Sequence, residues 1–174
     1  MRQSAALALV AAAMTAACAP ALDWRDLRPT NSGGAQLLMP CKAVAQQRRV
    51  MLAGREVSLA LHACDADGRT WALAVADVQD PAQVAPALGA LRAAAVANIG
   101  AAQAQALPLA VPGATPQAAS GRAHLSGRRP DGAPVQMDLA VFARGTHVLQ
   151  ATVLGERAGG ADADTFFESM RFVP

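Results

Sequence analysis

The sequence predicts an α+β fold in which an antiparallel sheet is built from two meanders and packs against helices. Apolar residues alternate with polar or small ones over about 36–77 and again over about 121–154, which is the period of half-buried strands. Between them, apolar residues recur at helical spacing over about 81–104, and a short helical pattern occupies about 162–170. Runs of adjacent strands separated by helices favour this class over a doubly wound parallel sheet.

Turns and breakers define the first half of the chain. Asp67-Gly68 predicts a two-residue hairpin turn between two alternating strands. We expect residues 36–43 to add a strand or an extended edge to the same meander, broken at Pro40. The strand before the hairpin turn has one apolar face, and its other face carries Ser58, Ala60 and His62.

The long helix is predicted to begin at Asp80-Pro81, where Asp80 can cap it and Pro81 suits its first position. Its apolar stripe consists of Val84, Leu88, Leu91, Ala95 and Ile99. Arg92 is the only charged residue of the segment, but most of the other residues are Ala, Gly, Gln and Asn, which have little tendency to enter lipid. We therefore predict a helix packed on the sheet and not a membrane span.

The second half repeats this order of elements. Turns at Gly132 and Gly145 join the strands of the second meander, and Gly160 ends it. Asp162 can cap the short final helix. The apolar face of that helix consists of Phe166, Phe167 and Met170.

Length and charge limit the classes of protein to which the chain can belong. Its 174 residues correspond to one domain with a short N-terminal appendage. The formal net charge of +2 is too small to indicate binding to nucleic acid or to an anionic membrane surface. The basic pairs Arg48-Arg49 and Arg128-Arg129 lack the interleaved aromatic residues that stack on bases. We therefore predict no nucleic-acid partner.

The N-terminus has the features of an export signal. Arg2 precedes an uncharged, mostly apolar run over 5–17, which is too short for a stable membrane span but suits a signal peptide. The small residues before Cys18 resemble a bacterial lipobox, with Thr15 where that motif usually has Leu. We predict that residues 1–17 are removed as a signal peptide and that Cys18 is lipidated.

A lipid on Cys18 would supply the membrane contact without a transmembrane helix. By resemblance to Gram-negative lipoproteins, Ala19 after the lipidated cysteine favours the periplasmic face of the outer membrane. Residues 18–34 are then a lipidated tether, and residues 35–174 are a single α+β domain. The alternative is ordinary signal-peptidase cleavage after Ala19 or Ala21, which would give a soluble periplasmic protein.

The number of cysteines predicts one disulfide. Either processing route removes Cys18 from the pool of thiols, which leaves Cys41 and Cys64 in an oxidising compartment. A bond between them would close a loop of about 24 residues and stabilise the fold by about 3 kcal/mol in the chain-entropy model. The alternative is a pair of free, buried thiols.

Three short motifs accompany this order of elements. They are Pro40-Cys41-Lys42, Gly127-Arg128-Arg129-Pro130-Asp131-Gly132 and Phe166-Phe167-Glu168-Ser169. Over roughly 35–174 the chain resembles the PsbP-like α/β sandwich, and it looks like small Gram-negative envelope lipoproteins with such motifs. The resemblance implies a disulfide, a turn and a docked helix, together with mostly accessory or assembly roles. It implies no catalytic residue.

Motifs for catalysis or metal binding are weak in this sequence. Neither Gly-x-Ser-x-Gly nor Ser-x-x-Lys occurs. His62, His124 and His147 lie on predicted strands of different hairpins, and scattered histidines of this kind are usually surface or core residues. Asp138 alternates with the apolar positions of its strand, so we expect it to face solvent. We therefore predict no catalytic residue, no metal site and no cofactor.

These observations favour a non-enzymatic envelope lipoprotein that contacts another envelope protein as an accessory or assembly-type interaction domain. The alternative is a periplasmic small-ligand-binding protein, with a pocket between the sheet and the Ala-rich helix at Ala93, Ala94 and Ala97. A third hypothesis is an enzyme, which would have a pocket in which His124 or His147 meets a carboxylate.

Overall fold

Strands dominate the structure, a computed structural model that describes residues 21–173. Strands contain 48% of the described residues and helical segments contain 17%. The fold is therefore mostly β, and the predicted α+β class is wrong. The reason is that residues expected to be tether or helix pair with neighbouring strands instead. The predicted signal peptide and Cys18 lie outside the described residues.

Ten strands and two helices follow one another between residues 21 and 173. The strands are β1 Arg25–Leu27, β2 Ala35–Met39, β3 Val44–Leu52, β4 Arg55–Ala66, β5 Arg69–Asp77, β6 Gln103–Leu107, β7 Gly121–Arg128, β8 Pro134–Arg144, β9 His147–Gly155 and β10 Arg171–Phe172. The helices are α1 Val84–Asn98, which follows a 3₁₀ turn at Pro81–Gln83, and α2 Ala161–Glu168. One antiparallel sheet has the order β3-β4-β5-β9-β8-β7-β6, and a smaller one has the order β1-β2-β10.

The large sheet is the middle layer of three. Its central strands β5, β8 and β9 are buried on both faces along most of their length. Helix α1 covers one face, and the core on that side includes Val84, Leu88, Leu91, Leu139 and Val141. Helix α2 and the small sheet cover the other face, where the core includes Leu37, Met39, Trp71, Phe166 and Phe167.

Strand β2 belongs to the small sheet, so the prediction that residues 36–43 extend the first meander is wrong. It pairs with β1 on one side and with β10 on the other. Four of its five residues are buried, because β2 is the central strand of the small sheet and packs against the large sheet. Pro40 cannot donate to a strand ladder, and the chain changes layer there before β3 begins.

The long helix ends earlier than the predicted span of 81–104. Helix α1 stops at Asn98, and Gly100 follows with a φ of 55°, a left-handed conformation that commonly ends helices. Strand β6 then pairs with β7 as an edge of the large sheet. Pairing with β7 therefore outweighs the helix preference of this Ala- and Gln-rich segment. Among the described residues, no helix is long and apolar enough to cross a membrane.

The predicted disulfide between Cys41 and Cys64 is confirmed. Their sulfur atoms are 2.00 Å apart and their Cα atoms 6.0 Å apart. The bond joins the segment before β3 to the end of β4, where Cys64 lies opposite Trp71 of β5. It therefore ties the outer strand β3 to the large sheet at one end, and the alternative of two free thiols is wrong.

The segment before β2 packs on the domain from Asp23 onward. The Asp23 backbone N–H donates to the Pro40 carbonyl oxygen at 2.8 Å. Trp24 packs edge-on against Trp71, with 6.1 Å between the ring centroids. The chain is therefore already held against the disulfide-bonded end of the large sheet where β1 begins.

Candidate functional site

Charged side chains lie between the large sheet and α2, where the sequence pattern predicts none. Pairing of β7 with β8 places His124 opposite Asp138, and Arg122 is on the same face of β7. Helix α2 lies over this face and contributes Asp164 from its first turn. We call Arg122, His124, Asp138 and Asp164 the Asp138 cluster.

Asp138 is at the centre of this cluster and is 1% exposed. Its Oδ2 accepts a hydrogen bond from Arg122 Nη2 at 2.8 Å, and its Oδ1 lies 2.5 Å from His124 Nδ1. Arg122 Nη2 also donates to Asp164 Oδ1 at 2.9 Å, and its guanidinium carbon lies 4.1 Å from the Phe167 ring centroid. Both carboxylate oxygens of Asp138 therefore have partners, as a buried charged group requires.

The prediction that Asp138 faces solvent is wrong. Its strand does place it on the face opposite to that of Met137 and Leu139, but α2 and the small sheet cover that face as well. A signal for this was available in the sequence, because the strand is apolar at every position from Ala140 to Ala143. Such a run is typical of a strand that is covered on both faces.

A second arginine, Arg69 in β5, holds α2 in a similar way. It donates to Asp162 Oδ2 at 2.9 Å and to Asp67 Oδ2 at 2.6 Å, and its guanidinium carbon lies 4.7 Å from the Trp71 ring centroid. Asp162 is not the cap predicted for the final helix, because Gly160 occupies the N-cap position. Asp162 lies in the first turn, where a carboxylate interacts favourably with the helix N-terminus.

The contact between His124 and Asp138 can orient a histidine for proton transfer. Because a carboxylate accepts hydrogen bonds, His124 Nδ1 is the donor in this contact, and Nε2 points away from it. The His124 side chain is 25% exposed, so solvent reaches part of the ring. This is the contact that the enzymatic hypothesis expects; it joins β7 to β8, whereas the contact of Arg122 with Asp164 joins β7 to α2.

A half-open cleft of about 970 Å³ lies on the same face of the large sheet, over β3, β4 and β5. The loop between β1 and β2 borders it on one side, and the segment after β5 borders it on another. The residues that line it include Asn31, Ser58, Ala60, His62, Asp77 and Gln79. The face of β4 that the sequence marks as less apolar therefore forms the floor of this polar cleft.

Asp77 gives the polar cleft a negative charge. A hydrogen bond from the Thr146 side chain holds the pKa of Asp77 below its usual value, while partial burial acts in the opposite direction. Its Oδ1 also accepts from the Gln79 backbone N–H at 2.9 Å, and its Oδ2 lies 4.0 Å from His147 Nε2. Gln79 has a φ of 59°, which is uncommon for a residue other than glycine. The Asp77 hydrogen bond helps to hold this turn at the edge of the cleft.

Partial burial lowers the pKa of His62 below its usual value of 6.5. We expect the free energy of unfolding to fall as the pH falls below about 6.5, because the unfolded chain then binds a proton that folded His62 does not. Replacing His62 with Gln should remove this part of the pH dependence.

Urea unfolding of the two proteins at about pH 7.5 and about pH 5.5 measures the difference. The wild type should lose more stability between these values than His62→Gln. Asp77 does not interfere, because its pKa is lowered from 3.8 and it titrates at more acidic pH. Equal losses in the two proteins would contradict the expectation.

The structure does not bring the three histidines together. His62 lies on β4, His124 on β7 and His147 on β9, and β8 separates the last two strands. Between residues 21 and 173, no group of three His, Cys, Asp or Glu side chains is placed to hold a metal ion.

The expected pocket between the sheet and the Ala-rich helix is not formed by the predicted residues. Ala93, Ala94 and Ala97 are exposed on the outer side of α1. Ala87 and Ala95 are buried in the core on this side of the large sheet. The predicted location is therefore wrong, and the polar cleft on the opposite face is the better place for a ligand.

Long separations along the chain explain why the Asp138 cluster has no sequence motif. Arg122 is 16 residues from Asp138 and 42 residues from Asp164. Only the pairing of β7 with β8 and the docking of α2 bring these residues together.

No protein-family model matches the chain, and no curated protein matches it.

Proposed function

We propose that the protein is a non-enzymatic lipoprotein of the Gram-negative cell envelope, exported by residues 1–17 and lipidated at Cys18. The disulfide between Cys41 and Cys64 carries this proposal, because such bonds form and persist in oxidising compartments such as the periplasm. Cys18 is the one cysteine of the three that the disulfide does not use, and a lipobox-like sequence precedes it. The domain then faces the periplasm from the outer membrane.

Within this proposal, the domain is an accessory or assembly-type module that binds a segment of another envelope protein in the polar cleft. A half-open cleft lined by hydroxyl, amide and charged side chains can accommodate an extended segment with hydrogen bonds along its length. The buried Asp138 cluster has a separate role, because it attaches α2 to the large sheet. We therefore assign binding, and no catalysis, to the protein.

The anchor and the export route are tested by the intact mass of the non-reduced protein. The full-length chain is expressed in a Gram-negative host and extracted from its membranes. We expect a mass that begins at Cys18, includes acyl chains and lacks the hydrogens lost in one disulfide. A mass that begins near Leu22 without lipid would contradict the anchor, and a mass that still includes Met1 would contradict export.

The binding role is tested by photo-crosslinking in living cells. A photoreactive residue at Ser58 lies in the polar cleft, and one at Ser126 on β7 is the matched control, because both serines are exposed. We expect a discrete cross-linked product from position 58 that position 126 does not give. Identical products from both positions, or none from position 58, would contradict a partner in the cleft.

A second candidate is a periplasmic protein that binds a small polar ligand in the same cleft. The volume of about 970 Å³ favours it, because small-molecule sites commonly occupy about 300–1,000 Å³. A thermal-shift screen with soluble cell-wall fragments tests it. A true ligand should raise the Tm of the wild type. It should not change the Tm of Ala60→Arg, because the arginine fills the floor of the cleft.

A further inference from the structure

The first residues that the structure describes pack against the disulfide-bonded end of the large sheet. The hydrogen bond between Asp23 and Pro40 places the entry point beside Cys41, and the contact of Trp24 with Trp71 holds it there. These contacts attach the N-terminal segment to the domain surface. They therefore hold Asp23 close to the ends of β3 and β4 that the disulfide joins.

The short distance along the chain from Cys18 to Asp23 limits how far this end can be from a lipid anchor. The two residues are five positions apart, and five fully extended residues span at most about 18 Å. If Cys18 is acylated, as in the proposed function, the disulfide-bonded end must therefore remain close to the bilayer surface.

This end of the large sheet has an exposed surface that suits a membrane interface. Val44 at the start of β3 is 63% exposed, and Lys42 beside it is exposed as well. Both border a shallow hollow of about 510 Å³. We call Lys42, Val44, Leu61 and Ala63 the anchor-proximal patch.

The anchor-proximal patch has charges of both signs around it, because Asp65 borders the same hollow as Lys42 and keeps its negative charge. The Asp65 carboxylate accepts a hydrogen bond from the Thr70 hydroxyl at 2.6 Å, and Asp23 is paired with Arg25. Among residues 21–173, Lys42 has no ion-pair partner, so its ammonium group is available to a phosphate. Its aliphatic stem can cover apolar surface while the charge stays in the headgroup layer.

We propose that the anchor-proximal patch rests against the headgroups of the bilayer that holds the acyl chains of Cys18. The proposal rests on the lipid anchor of the proposed function. One valine and one lysine would not bind a bilayer by themselves, but an anchor on a short tether raises the effective concentration of the membrane and makes a weak contact sufficient.

This orientation also places the polar cleft. Ser58, which lines the cleft, is six residues from Cys64 along β4, or about 20 Å at the usual rise of a strand. Gln46 borders both the cleft and the anchor-proximal hollow, so the cleft begins beside the anchor-proximal patch, and only its Ser58 end lies away from the bilayer, towards partners in the periplasm.

Strand β3 provides two exposed positions for the test, one at each end and on opposite faces of the sheet. Val44 and Met51 are the exposed large hydrophobic residues among the described ones, at 63% and 69%, and they lie about 23 Å apart at opposite ends of the strand. Val44→Trp and Met51→Trp are made in the full-length chain, which is extracted from membranes and reconstituted into phosphatidylethanolamine–phosphatidylglycerol vesicles. Half of the vesicles contain brominated acyl chains, which quench tryptophan at short range, and the wild type measures the signal of Trp24 and Trp71.

We expect brominated vesicles to reduce the added fluorescence of Val44→Trp and to leave that of Met51→Trp unchanged. No quenching of Val44→Trp, or equal quenching of both variants, would overturn the proposed orientation. The intact mass of the same samples distinguishes a wrong orientation from a missing lipid anchor. Acylated Cys18 without quenching refutes the orientation alone, whereas the absence of acyl chains refutes the anchor and the orientation together.

Discussion

Replacement of Asp138 with alanine is expected to lower the free energy of unfolding by about 3–5 kcal/mol. Arg122, whose side chain is 7% exposed, would keep its charge with only the half-exposed Asp164 as a partner. His124 Nδ1 would also lose its acceptor. A buried charge without compensation costs far more than the loss of one contact. Urea unfolding at neutral pH measures the change.

Two further variants separate burial from simple loss of charge. Asp164→Asn removes the other carboxylate on Arg122, but that side chain is 54% exposed, so the expected cost is below about 1 kcal/mol. Replacing Arg122 with Met and Asp138 with Leu together removes both buried charges and should recover most of the stability. Similar costs for Asp138→Ala and Asp164→Asn would show that burial of the cluster is not the source of its effect.

Removal of the disulfide is the second change with a large expected effect. Replacing Cys41 and Cys64 with serine should lower the free energy of unfolding by about 3 kcal/mol, because the bond closes a loop with a sequence separation of 23. Without it, the unfolded chain gains conformational entropy, and the outer strand β3 loses its attachment at one end. The urea midpoint of the double variant measures this.

Chemical reduction of the wild type is the control for the serine variant. Reduced wild type and the double serine variant should unfold at similar urea concentrations, because both lack the cross-link and retain side chains of similar size. If the double variant unfolds at the same urea concentration as the oxidised wild type, the disulfide contributes nothing to stability, and the chain-entropy account is wrong for this loop.

Features that depend on neighbouring residues are predicted correctly from the sequence. Asp67 and Gly68 have φ values of 52° and 67°, as a two-residue hairpin turn requires. Asp80 Oδ1 accepts a hydrogen bond from the Ala82 backbone N–H at 2.9 Å, as expected for the residue that begins the helical segment. In each case the partners are at most two residues apart, so the local chemistry decides the outcome.

The fold class is wrong because it depends on pairing between distant segments. Strand β6 has a sequence that favours helix, yet it pairs with β7. Strand β2 looks like an extension of the first meander, yet it pairs with β1 and β10 in a separate layer. A backbone that finds hydrogen-bond partners in a neighbouring strand becomes a strand whatever its weak local preference.

The candidate site was partly visible in the sequence. The alternation in β4 places Ser58, Ala60 and His62 on one face, and that face is the floor of the polar cleft. The same alternation separates Asp138 from the apolar face of β8, but it does not show that a helix covers the second face as well. A period of two assigns a residue to a face, whereas burial depends on what packs there.

The sequence by itself determines the disulfide partners, the hairpin turn at Asp67-Gly68 and the start of the helical segment at Asp80, because these follow from cysteine number and from groups close along the chain. Only the tertiary structure decides that the sheet has seven strands, that Asp138 is buried and that a polar cleft remains open over β3 to β5. The physical reason is that strand order and burial depend on docking of distant segments, above all α2 and the small sheet, and no local pattern encodes which face they cover.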